Sequence, residues 1–443
     1  MAAGSQSSAQ RPVAGAASGS VPAESAPAES GPAQAASGND APLAPELAQA
    51  EAAIAGKDWK AAETTLNLWL AGHTQDARAL FDAGYVADSQ DRSSDAESLY
   101  RRAVSADAAS FQAHLSLGLL LAREGKAEQA RPELAIATDL DPGDAGPAMK
   151  ARAWRALARI DRSADTAEAS NDLLEALKLS PESVGDTLLA AQIAEQAGEY
   201  PAAETGYRRV LTQEPASDPD ALAADSGLAH VLIVQKRYAD AETLLRGALT
   251  HVPDDPGLSA QLAQALASED KAEALPLLEK LHANHRGDAA VTRMLAAVQA
   301  DAGDYAASDQ LYVALLAAQP DDAVLLLGHG QNLIRQQRYA EAFAAFKKAT
   351  DADPANADAW SGLAFAASRT NQPAVTLNAL TMRSKYLGEV PSTYFLWATA
   401  YDSLHEKTQA AAYYQHFLDS AAGKFPDQEW QARQRLKLLG GTP

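Results

Sequence analysis

Four arginines, Arg152, Arg155, Arg159 and Arg162, fall three, four and three residues apart, which sets them along one side of a helix beside Trp154. Guanidinium groups in such a row can hold a carboxylate or phosphate through paired hydrogen bonds. Asp161 and Asp165 supply the other reading, a solvated face neutralised by its own neighbours. His282 and His285 form an H-x2-H pair, but no third or fourth ligand lies nearby, and they read as turn histidines. Gly125-Lys126 lacks the upstream glycine and the following Ser or Thr of a phosphate loop, and Gly328-His329-Gly330 falls inside a helical pattern. No H-E-x-x-H occurs, and no Ser, His and acid set sits in a strand-turn-helix context. The absence of cysteine excludes disulfides, thiolate zinc sites, iron–sulfur clusters and cysteine nucleophiles. We therefore expect a chain that is not an enzyme and carries no cofactor or metal.

The elements that position these residues are repeated. A small residue recurs at Ala62, Ala96, Ala130, Ala169, Ala203, Ala241, Ala274, Ser308, Ala342, Thr376 and Ala410, mostly 34 residues apart. Four residues after each comes a large apolar one: Leu66, Tyr100, Leu134, Leu173, Tyr207, Leu245, Leu278, Tyr312, Phe346, Leu380 and Tyr414. Twelve residues after six of the eleven stands a proline: Pro142, Pro181, Pro215, Pro253, Pro320 and Pro354. Twelve residues before nine of them the chain is again small, as at Gly84, Gly118, Ala191 and Gly330. This pattern resembles the tetratricopeptide repeat, whose signature is W-x2-L-G-x2-Y, then A-x3-F, then P, over 34 residues. The resemblance covers about eleven repeats. It implies an all-α fold, a right-handed superhelical solenoid of helix-turn-helix hairpins with a C-terminal capping helix.

The residues support the same hairpin on their own. In the ninth unit Leu326, Gly330 and Leu333 share one helical face, Gln336-Gln337-Arg338 make a polar turn, and Tyr339 opens a helix carrying Ala342, Phe346 and Ala349. Small residues at both places let the two axes approach, and the large neighbour fills the flanking groove. Proline stops the second helix. One such hairpin cannot bury its apolar face, but stacked neighbours can. The pattern departs from itself in three places. The fourth unit has Leu157 at the small position after an insertion at 142–147, and the sixth follows an insertion near Asp218-Pro219. The seventh is one residue short, with Leu262 at the small position and Arg286 in place of proline. We expect any bend or loosening of the stack to fall at these units.

Residues 1–42 are Ala, Ser, Pro and Gly-rich and hold too little apolar surface to offset the entropy of ordering, so the sequence predicts a disordered tail or linker there. The solenoid then spans 43–424, and 425–443 forms the cap. In the cap we expect Asp427 at the N-cap, Trp430, Leu436 and Leu439 on an apolar stripe, and Gly440-Gly441 as the stop. Trp430 has a second reading as a partner anchor. The tail lacks the basic and apolar stretches of a signal peptide, which taken literally points to the cytoplasm. Tails of this kind also follow the cleavage site of exported bacterial proteins, and with Met1 in the place of a removed signal the compartment becomes periplasmic or secreted. A net charge of −21 argues against nucleic acid, and no run of eighteen apolar residues exists to insert in a membrane.

The resemblance also implies where binding sits. Family members line a groove with their first helices, through the second, fifth, ninth and twelfth positions of each unit. Here those places give Phe81, Tyr85, Leu115, Leu119, Trp154, His230, Arg293, Leu327, Gln331, Phe365 and Phe395, with Arg155 from the arginine row. Aromatic residues on a groove wall suit the anchoring of apolar partner side chains. Packing against the next repeat is the alternative for each of them. The chaperone-tail clamp of the family needs Lys at the fifth and Asn at the ninth position. Phe81 and Tyr85, Leu115 and Leu119, Leu327 and Gln331 do not match it. The expected function is a scaffold binding a peptide or partner segment in its groove. A self-assembling or envelope-structural protein and a substrate-docking arm of an enzyme complex are the alternatives.

Overall fold

A computed structural model describes residues 44–285 and 287–440, so the 1–42 tail, Arg286 and Gly441 lie outside the described residues. Among the described residues the chain forms 23 α-helices and one short 3-10 turn, and no strand. Eleven hairpins account for all but the last helix. The first three are Pro45–Ala55 with Trp59–Gly72, Ala77–Asp88 with Ser93–Ala106, and Phe111–Arg123 with Ala127–Asp139. The fourth to sixth are Gly146–Asp161 with Thr166–Leu179, Val184–Gln196 with Tyr200–Gln213, and Pro219–Val234 with Tyr238–Ala248. The seventh is Pro256–Ser268 with Ala274–Asn284, and the eighth Ala289–Asp301 with Tyr305–Ala318. The ninth to eleventh are Ala323–Arg335 with Tyr339–Ala352, Ala357–Arg369 with Pro373–Arg383, and Pro391–Ser403 with Lys407–Ala421. Pro426–Leu439 closes the chain.

The recurring small residues are where the helices meet. All eleven, from Ala62 to Ala410, are at most 1 % exposed, and their large neighbours four residues on are at most 5 % exposed. The spacing thus marks a buried point in every hairpin. Most first helices are started locally: Asp76, Ser110, Ser183, Asp218, Asp288, Asp322 and Asn356 accept hydrogen bonds from the first turn. Such caps stabilise a helix start by about 1 kcal/mol. The turn inside every hairpin but the fourth uses one left-handed residue. Lys57, Asp91, Lys236, Gln337, Asn371 and His405 adopt it at φ between 56° and 62°, and Gly125, Gly198 and Gly303 do so without a Cβ penalty. Gly125 is therefore a turn residue, as its sequence context suggested, with Lys126 paired to Glu97. The six prolines lie between hairpins. The two insertions are absorbed at the starts of first helices, which reach 16 residues in the fourth and sixth hairpins against 13 in the third and fifth.

The chain divides into two compact units, up to Gln261 and from Leu262. The division falls inside the first helix of the seventh hairpin, the one with Leu262 at the small position. In the first unit the second helices of hairpins one to five pack on the first helix of the next hairpin, and in the second unit those of hairpins seven to ten do the same. First helices of successive hairpins also lie side by side: hairpins three to six in the first unit, eight to eleven in the second.

The cap departs from expectation. Its helix starts at Pro426 with Phe425 at the cap, so Asp427 lies inside the first turn. The inward stripe is Glu429, Ala432 and Leu436, while Trp430 is 63 % exposed. Glu429 accepts from the Phe425 N–H (3.4 Å) and pairs with Arg433 at 2.8 Å, while Ala432 and Leu436 pack on the core and Trp430 faces outward.

Candidate functional site

Two groove candidates are not on the surface. Phe81 (2 % exposed) packs its ring 5.7 Å from that of Tyr100, and Leu115 is fully buried in the same core. Both are corrected to core residues. The hairpin's own second helix covers them, which leaves no face for a partner. Tyr85, Leu119 and Trp154 remain half-buried on the first helices of hairpins two to four. Tyr85 stands edge-on to Trp59 at 6.3 Å, while Leu119 and Trp154 rest on the core that holds Leu115.

In the second unit Arg293 and Leu327 are half-buried, and Gln331 and Phe365 are exposed, with Phe365 edge-on to Tyr339 at 6.2 Å. Phe395 leans on Phe417 (5.1 Å) and Tyr414 (6.1 Å) and belongs largely to the local core. His282 bonds Thr292 at 3.0 Å.

The arginine row does not converge on one site. Arg155 binds Asp186 of the next hairpin through two bonds of 2.7 and 2.8 Å, so its fork is closed to an outside anion. Burial pushes the Asp186 carboxyl up, but hydrogen bonds from Arg155 and Ser183 outweigh it and hold the group below its usual value. Arg152 meets only Met149 Sδ at 3.9 Å, and Arg159 is exposed. Asp161, expected to neutralise the row, instead takes Arg131 at 2.8 Å, and Asp165 caps the next helix. Arg162 donates to the Oε1 of Gln192.

His230, exposed at its edge, sits 2.5 Å from Glu195, whose other oxygen accepts from the Tyr207 hydroxyl. The bond to Glu195 raises the His230 pKa. Sequence reading missed a wider device of this kind. Acids near the end of one first helix pair with bases one repeat later: Asp88 with Arg123, Asp301 with Arg335 at 2.7 Å, Asp402 with Arg435 at 2.6 Å. Separations of 33 to 35 residues were the available signal. Two acids are buried with less support. Asp172 and Asp225 are both pushed up to about 6 by burial, with Asp161 and Glu168 adding to the shift of Asp172 and His251 opposing that of Asp225.

The fifth hairpin carries Thr187, Ala190 and Ala194 where the signature has Trp, Leu and Tyr. A cleft of about 390 Å³ results, lined by these residues, Ala202 and Gly206. No described helix is long and apolar enough to cross a membrane.

Comparisons with known proteins agree with this geometry. Tetratricopeptide repeat families match residues 81–145, 188–256 and 333–374. The chain is 27 % identical over 268 residues to cellulose synthase 1 operon protein C of Komagataeibacter xylinus. That match takes in 56 % of this chain and 20 % of the relative, so the chain spans about a fifth of the relative's length. Among solved structures it is similar to a tetratricopeptide repeat protein from Parabacteroides merdae, at 16 % identity and a TM-score of 0.42, over 58 % of this chain and 99 % of that one. It is likewise similar to pilF of Pseudomonas aeruginosa, at 17 % identity and a TM-score of 0.44, over 48 % and 97 % of the two chains.

Proposed function

As the chain is a tetratricopeptide repeat protein, we propose that it is a non-catalytic protein-interaction scaffold whose row of first helices takes an extended peptide or a partner helix. One observation carries this reading. Tyr85, Leu119 and Trp154 stand half-buried on the first helices of three successive hairpins, so apolar footholds recur once per repeat. A partner that fills such footholds gains most of its affinity from a few of them, about 2 kcal/mol or more for a well-buried aromatic. The test is fluorescence anisotropy with an array of short extended peptides, comparing wild type with a Tyr85→Ala, Leu119→Ala, Trp154→Ala triple variant of unchanged helicity. The expected result is loss of the bound peptides. Equal binding by both proteins moves the site to Leu327, Gln331 and Phe365 in the second unit.

A second reading has one observation in its favour. The relative's name ties it to the operon of a cellulose synthase, which supports a docking arm for an enzyme system on another chain. Co-purification of a catalytic subunit with the tagged protein from its own host tests it, and a protein that always isolates alone counts against it.

A further inference from the structure

We propose that Arg162 is a recognition point for a carboxylate, borne by an Asp or Glu side chain of the segment bound along the first helices. The proposal rests on the scaffold reading above and adds the chemistry of one contact. It comes from comparing equivalent places in the repeat. Arg123 and Arg335 hold the thirteenth position of the third and ninth hairpins, and each is paired with an acid from the preceding hairpin, Asp88 and Asp301. Arg162 holds the same position in the fourth hairpin, but the place equivalent to Asp88 is Ala122. The internal partner is missing because the third hairpin does not encode it.

No neighbour takes over that role. Among the described residues no carboxylate lies within ion-pair reach of Arg162, and its one hydrogen bond goes to the neutral Gln192. Glu195, one turn further along the same helix, gives its two oxygens to Tyr207 and His230. Burial lowers the pKa of Arg162; the charges of Tyr207 and Glu195 oppose that shift from beyond ion-pair distance, and Arg159 on its own helix adds to it. A guanidinium carries five N–H donors in a fixed fork, and one amide oxygen occupies few of them. The fork matches a carboxylate held by two parallel bonds, and it is not fully covered. Trp154 lies two turns back on the same helix, so one extended segment can offer an apolar side chain and an acid to both.

The experiment uses the full chain and labelled extended peptides on an apolar Leu and Phe frame, each made with Asp, Asn or phosphoserine at its centre. Wild type should bind the Asp form about tenfold more tightly than the Asn form, the scale of a charge-assisted hydrogen-bonded pair. Arg162→Gln should reduce that preference to about twofold or less. Gln192→Glu keeps the arginine and its packing but supplies a carboxylate from within, and should abolish the preference equally. Peptides bound without an Asp preference would overturn the role of Arg162 and leave the scaffold reading standing. A preference that survives in both variants would overturn it too, as would tightest binding of the phosphoserine form. Failure of every peptide to bind would remove the scaffold reading and this contact together.

Discussion

The ring of Phe346 lies so close over Gly330 that a Cβ added to the glycine would stand 2.8 Å from a ring carbon. Gly362 of the next hairpin is pressed against the same ring. One aromatic side chain thus fixes the approach of two successive first helices, and Tyr100 over Gly84 and Leu134 over Gly118 each press on one glycine in the same way. Alanine is the better helix former by about 1 kcal/mol, yet overpacking here costs about 1–3 kcal/mol. Gly330→Ala should therefore lower stability in urea unfolding. Hydrogen exchange should show the loss in hairpins eight to ten, because repeats couple mainly to nearest neighbours. A stabilised variant would refute the contact.

Asp172 is 4 % exposed, and its Oδ2 has no hydrogen-bond partner. Folding raises its pKa from 3.8 to about 6, so ionisation favours the unfolded chain. Its contribution is intact below pH 3.8 and is lost as pH rises through about 6, to a total of about 3 kcal/mol. Asp172→Asn should remove this dependence. The difference in unfolding free energy between variant and wild type should grow in the variant's favour between pH 4.5 and 7, and a flat difference would show that the carboxyl is not strained.

The eleven buried small residues were legible because close helix approach leaves no alternative residue type at a fixed pitch. Depth was not legible. Periodicity shows which side of a helix meets its neighbour, but not that Phe81 is covered by Tyr100 on the second helix of its own hairpin, nor that Leu115 is buried in the same core. The same holds for Arg155, whose partner Asp186 lies 31 positions away and outside any local motif. Trp430 was misplaced by one step of helix rotation, since Ala432 and Leu436 pack on the core and leave it facing outward.

The pair of Arg155 and Asp186 predicts the opposite pH behaviour to Asp172. Folding depresses the Asp186 pKa, so the stabilisation is present above pH 3.8 and is lost as pH falls through the lower folded value. Asp186→Asn leaves Arg155 without its charge partner, and breaking such a buried pair costs about 3 kcal/mol. The loss should be full at pH 7 and should shrink below pH 3.8. Chemical unfolding at pH 7 and pH 3 decides it, and an equal loss at both would assign the effect to packing alone.

The cleft of about 390 Å³ on the fifth hairpin exists because alanine replaces larger signature residues. The residues that line it all belong to the fifth hairpin and the turn before it, from Glu182 to Arg209. A leucine at 190 would fill part of it. Ala190→Leu should raise stability by about 0.5–2 kcal/mol, the usual gain from filling a cavity, with a higher thermal midpoint. Ala191 offers the control, since Gly206 leaves no room beside it: a Cβ there would come within 2.7 Å. Ala191→Leu should destabilise. If both substitutions lower the midpoint alike, the cleft on the fifth hairpin closes in solution.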